Sequence, residues 1–123
     1  MQNYKDLKVW KVSHELTLSI YRESYSFPKE ELYGLVSQLR RAASSIPANI
    51  AEGCGKKSSL DFANFLNISL GSANETEYFI LLSKDLNYIS EEQFNYLTDI
   101  INQIKAMLIS LIKKVRTNVV LKT

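Results

Sequence analysis

Three pairs of adjacent cations are the side chains best suited to chemistry in this chain: Arg40–Arg41, Lys56–Lys57 and Lys113–Lys114, the last followed closely by Arg116. Paired cations on a solvent-facing element suit phosphate contact, lysine as a point charge and arginine as a planar fork. Other chemistry has few candidates. His14 is the single histidine, so no second one completes a metal site of the usual kind. The chain has no Glu-x-x-His unit for a di-iron bundle, no Cys-x-x-Cys-His for haem and no phosphate-cradling glycine loop. It also offers no Ser/His/Asp set. The expectation is therefore a protein without catalytic residues, metal or cofactor. Cys54 stands between Gly53 and Gly55, which places it in an exposed turn; with no base beside it, it reads as an incidental thiol. Asn49 and Glu52 read as satisfying each other, a helix end, or the backbone near Pro47.

The elements that must carry these cations are helices. The chain has 123 residues, 46% hydrophobic, with only 4 Gly and 2 Pro, which suits one domain (1–123) with a moderate core and few loops. A lone cysteine and no secretory pattern at the start point to a reducing cytoplasm, and no apolar run is long enough to span a membrane. Between Leu32 and Gly53, residues Leu32, Val36, Leu39, Ala43, Ile46, Ile50 and Gly53 recur at steps of four and three, one face of a helix. Pro47 interrupts it and predicts a bend rather than a break. Helices are predicted over about 7–25, 29–53, 58–86 and 90–116. Gly53–Lys57 is the expected turn after the second, with glycine supplying the left-handed cap, and Ser58 or Ser59 is the N-cap of the third. Ser90-Glu91-Glu92-Gln93 reads as a capping box, with Ile89 and Phe94 as a hydrophobic staple. In the fourth helix Phe94, Leu97, Ile101, Ile104, Leu108, Leu111 and Val115 form a seam. Ile100, Met107, Ile109 and Ile112 widen it, as deep core or as a subunit contact. Short connections make this an all-α, antiparallel up-down-up-down four-helix bundle.

Charge is segregated along the chain. Residues 1–57 carry nine basic and six acidic residues, net +3; residues 58–98 carry one and six, net −5; residues 99–123 carry five and one, net +4. An ordinary solvated surface gives such a pattern, and so does a basic face built for nucleic acid or an acidic partner. Folding helices two and three about the 53–57 turn sets facing residues to numbers summing to about 111. Ala42, Ala43, Ser44 and Ser45 then lie near Ser69, Gly71, Ser72 and Ala73, a close approach at mid-height. Arg40 or Arg41 falls within reach of Glu75 or Glu77 as a structural bridge, in competition with a ligand-contacting role. Helices two and four finish at one end, so Lys56, Lys57, Lys113, Lys114 and Arg116 are expected there as a basic rim.

Gln38–Gly53 (QLRRAASSIPANIAEG), with Ile46, Pro47, Asn49, Ile50, Glu52 and Gly53 at its heart, is followed by Phe62, Phe65-Leu66 and Gly71–Glu77 (GSANETE, including Glu75). Together with Tyr4–Leu16 and Leu86–Ser90, these resemble the bacterial four-helix-bundle proteins of the 23S (large-subunit) rRNA intervening-sequence family. The resemblance spans nearly the whole chain. It implies a small cytoplasmic bundle, often encoded within rRNA intervening sequences. The accessory variability proteins of diversity-generating retroelements resemble it in fold; they form pentamers with basic surfaces and work with a reverse transcriptase and nucleic acid. A homopentamer that associates with RNA or DNA is what the resemblance implies, and it supplies no catalytic residues. The alternative is an adaptor bundle that binds a protein, such as a reverse transcriptase, without touching nucleic acid.

Overall fold

Local side-chain caps start two of the four helices, and a side chain from the preceding turn starts another. The computed structural model describes residues 2–122, with side chains through residue 118. After a 3₁₀ turn at Tyr4–Asp6, the helices are α1 (Lys8–Ser24), α2 (Leu35–Cys54), α3 (Ser59–Asp85) and α4 (Glu91–Lys122). Ser58 Oγ accepts the Asp61 N–H at 3.1 Å. At the head of α4, Ser90 Oγ accepts the Gln93 N–H at 3.1 Å while Gln93 Oε1 accepts the Ser90 N–H at 2.8 Å, the reciprocal box expected there.

The second helix departs from expectation. Lys29–Glu31 is a separate 3₁₀ turn, the chain bends at Gly34, and α2 begins only at Leu35 instead of 29. Glu31 caps it from four residues back, Oε1 accepting the Leu35 N–H at 3.3 Å while Oε2 accepts the Tyr88 hydroxyl at 2.9 Å. That acceptor, with desolvation, pushes the Tyr88 phenol above its ordinary pKa. At the far end α2 continues through Gly53 and Cys54, and no described glycine has a positive φ. The left-handed residue is Asn87 (φ 63°), after α3, where the Tyr88 N–H reaches the Ser83 carbonyl at 2.8 Å. Helix α4 extends past residue 116, its expected end, to Lys122.

Each helix packs antiparallel on the next and α4 returns to α1, while α2 and α4 stand on a diagonal of the bundle. Leu16 and Ile20 of α1, Leu39, Ala43, Ile46 and Ile50 of α2, Leu66, Ala73 and Ile80 of α3, and Leu97, Ile101, Ile104 and Leu108 of α4 fill one core. Most of the wide α4 face is used within the bundle. Ile112 is buried, Ile100, Met107 and Leu111 pack against the core, and Ile109 alone of these is left exposed.

Pro47 explains how α2 is held. A proline has no N–H, so the carbonyl of Ala43, four residues earlier, loses its helical donor. Thr17 Oγ1 of α1 takes that place at 3.1 Å. One turn on, Ser69 Oγ of α3 donates to the Ile46 carbonyl at 2.9 Å. Ser45 Oγ meets Ser72 Oγ at 2.9 Å, and Asn49 Nδ2 donates to both the Ser45 carbonyl (2.8 Å) and Ser45 Oγ (2.9 Å). Hydroxyls from both neighbouring helices thus fasten to α2 around its proline.

The same contacts correct the register. Ser69 faces Ile46, not Ala42, because α2 runs on through Cys54 and the closing turn moves toward Lys57. Ser45 and Ser72 do meet at mid-height as expected, but of the two glycines it is Gly53, not Gly71, that the facing helix crowds. A Cβ on Gly53 would lie 2.9 Å from Phe65 Cβ and 3.0 Å from Phe62 Cδ1, whereas one on Gly71 meets nothing within 4 Å.

Candidate nucleic-acid interface

Chain direction turns the linear charge pattern into an axial one. Helices α2 and α4 both finish at one end of the bundle, where α1 and α3 begin. Lys5, Lys8, Lys56, Lys57, Lys113, Lys114 and Arg116 belong to that half. Glu30, Glu31, Asp85, Glu91 and Glu92 belong to the other. Lys56 and Lys57, just beyond the C-terminus of α2, also offset the negative end of its macrodipole.

The five expected rim residues share the end but not one edge. Lys56 and Lys57 follow α2, on the opposite corner from α4. Lys56 Nζ lies 3.9 Å from Glu52 Oε2 and 5.0 Å from the centre of the Phe65 ring, so it is partly engaged. Lys57 is exposed, with no carboxylate within 4.0 Å among the described residues, and borders a polar hollow of about 360 Å³ with Ser58 and Ser59. Lys113 and Arg116 instead line a groove of about 520 Å³ between α3 and α4, whose walls are Asn67, Leu70, Ile109, Ile112 and Thr117. Lys114 is exposed outside that groove.

Arg40 and Arg41 do not pair with Glu75 or Glu77. Arg40 turns toward α1, where its Nε donates to Ser24 Oγ at 2.9 Å and Nη2 to the Tyr21 carbonyl at 3.3 Å. Its guanidinium sits 4.6 Å from the Tyr21 ring centre. Glu77 binds Lys105 of α4 at 3.1 Å, and Glu75 is exposed. Position 40 falls on the α1 side of α2, because the α3 side is taken by Ser45 and Asn49. Arg41 is exposed and borders a hollow with Tyr21, Tyr33 and Arg40.

Cys54 is buried, not in an exposed turn. It lies on the last turn of α2, and burial raises its thiol pKa, which disfavours the nucleophilic thiolate. Tyr21, Tyr25, Tyr33 and Arg22 were not singled out as site residues from the sequence. A signal was there: residues 21–41 hold three of the seven tyrosines and three of the four arginines.

Fold and surface define the class: an all-α up-down four-helix bundle in which, among the described residues, every buried side-chain polar atom has a partner and no helix is long and apolar enough to cross a membrane. Within that class, the chain belongs to the 23S rRNA-intervening sequence protein family, whose model matches residues 5–110. It is similar to a solved structure from Bacteroides thetaiotaomicron, a protein of unknown function from the S23 ribosomal protein family. The two share 35% identity and a TM-score of 0.79, over 85% of this chain and 95% of that one. No curated protein matches. The motif residues of Ile46–Gly53 accordingly have structural roles here: Ile46 and Ile50 in the core, Pro47 and Asn49 at the hydroxyl-fastened turn, Glu52 beside Lys56, Gly53 at the close approach.

Proposed function

We propose that this protein is a non-enzymatic bundle that associates with structured RNA through its basic end, with Lys57, Lys113, Lys114 and Arg116 as the phosphate-contacting residues and Lys56 as a lesser one. Family membership supports an RNA connection. The observation that carries the reading is the axial separation of charge, which gathers cations from α1, the α2–α3 turn and α4 at one end. Fluorescence anisotropy with a labelled structured RNA and a matched DNA duplex, across a salt series, tests it. Wild-type affinity is expected to fall steeply with salt. Combined Lys57→Glu, Lys113→Glu, Lys114→Glu and Arg116→Glu substitutions should weaken binding and flatten the slope by about 0.7–0.9 per lost phosphate contact. No binding at low salt by the assembled protein would overturn the proposal.

The α3–α4 groove favours a second reading, protein docking, because Leu70, Ile109 and Ile112 give it apolar walls and Ile109 is 55% exposed. The occupant we favour is another copy of the chain. Native mass spectrometry is expected to show a multiple of 14.1 kDa, five copies being the number the resemblance implies. Ile109→Glu should shift that mass toward the single subunit. A subunit mass for the wild type would turn the groove toward a different protein.

A further inference from the structure

Arginine and tyrosine are concentrated on the α1–α2 face, the side of the bundle away from the α3–α4 groove. Two hollows of about 490 and 530 Å³ open there side by side and share Tyr21 and Arg40. One adds Tyr33 and Arg41, the other Tyr25 and Arg22. The Arg40 guanidinium, held by Ser24 and the Tyr21 carbonyl, covers the Tyr21 ring and forms a fixed ridge between them. Each hollow thus combines that ridge with one loosely held ring and one arginine. Tyr33 is 93% exposed and Tyr25 87%. Among the described residues, no carboxylate lies within 4.0 Å of Arg22, Arg40 or Arg41, and no Asp or Glu lines either hollow.

That chemistry selects a ligand. A planar guanidinium receives phosphate as a fork and stacks on π-faces, which lysine does not do. Exposed tyrosine rings stack on bases whatever their sequence. In a duplex the base faces are stacked on each other and only their edges and the backbone are presented, so the rings would have nothing to cover. We infer that the α1–α2 face binds unpaired nucleotides of a single-stranded nucleic acid, with bases stacking on Tyr25 and Tyr33 and phosphates received by Arg22 and Arg41 on either side of the Arg40–Tyr21 ridge. This surface is separate from the basic end and stands whether or not that end binds RNA.

The test uses the full-length chain and labelled strands of about 12 nucleotides, within the range one such site covers. A mixed-sequence RNA, the same sequence as DNA, and each annealed to its complement are titrated by anisotropy. Wild type is expected to bind single strands more tightly than duplexes. The Tyr25→Ala/Tyr33→Ala variant should lose at least tenfold in single-strand affinity, with its melting temperature and its binding to structured RNA unchanged. Tyr25→Phe/Tyr33→Phe should restore binding, since stacking needs the ring and not the hydroxyl. Equal RNA and DNA affinities would support base and phosphate recognition, and RNA preference would support it with added contact to the ribose. Absent single-strand binding, or an alanine variant that binds as wild type, overturns the inference. So does an alanine variant with an altered native mass and unaltered single-strand affinity, which would make this face a contact between copies. Binding of structured RNA without single strands would sink this inference alone; single-strand binding without structured RNA would sink only the basic-end proposal.

Discussion

Gly53→Val is expected to lower the stability of the bundle by about 3 kcal/mol, and Gly71→Ala to raise it by about 0.5 kcal/mol. Both glycines sit inside helices, so either substitution gains helix propensity, about 1 kcal/mol for alanine and less for valine. Their surroundings decide the sign. At Gly53 the first added carbon already falls 2.9 Å from Phe65 Cβ, an atom fixed to the α3 backbone that no rotamer change can move. Phe62 Cδ1, at 3.0 Å, can turn aside. Overpacking must therefore push α2 from α3 beside their connecting turn. Gly53→Ala should also destabilise, by less than valine. Gly71 is exposed and its Cβ would enter open space, so only the propensity gain acts. Denaturation midpoints at unchanged slope measure both changes. A Gly53→Val protein as stable as wild type would show that the two helices are not in contact there.

Thr17→Val should cost about 1–3 kcal/mol, although valine has nearly the same shape. The loss is the hydroxyl that serves the Ala43 carbonyl at a site only 8% exposed. The hydroxyl also reaches the Ser13 carbonyl, but that group keeps its helical N–H donor. Ala43 has no such reserve, because residue 47 is proline. In a Pro47→Ala background the alanine N–H can serve Ala43, so the penalty of Thr17→Val should shrink by about 1 kcal/mol or more. The double-mutant cycle isolates this coupling. An equal penalty in both backgrounds would mean that the carbonyl does not depend on Thr17.

The features legible in the chain were those set by near neighbours. The Ser90–Gln93 box and the Ser58 cap involve residues three apart, and both form as the spacing implies. The four-and-three steps of Leu39, Ala43, Ile46 and Ile50 marked a face that is indeed core. The start of α2 was not legible in the same way. Leu32 and Val36 keep helical spacing, yet the cap is a carboxylate that Tyr88, from a distant turn, also holds in place. Of the candidate site, the basic residues and their common end could be read from helix direction. The Tyr–Arg face could not be assembled, because α1 and the residue after it supply Tyr21, Arg22 and Tyr25 while α2 and its approach supply Tyr33, Arg40 and Arg41.

By itself the sequence determined four helices, their order, the N-terminal caps of the third and fourth, and the end at which the cations collect. Each depends on interactions three or four residues apart or on the alternation of chain direction. Tertiary structure decided which neighbour each side chain meets. It gave Arg40 to Tyr21 and Ser24 instead of Glu75, the crowding by a facing helix to Gly53 instead of Gly71, and a buried setting to Cys54. The reason is geometric: each residue turns a helix by about 100°, so a register change of one or two residues sends a side chain to a different neighbouring helix. That rotation is fixed only when all four helices pack.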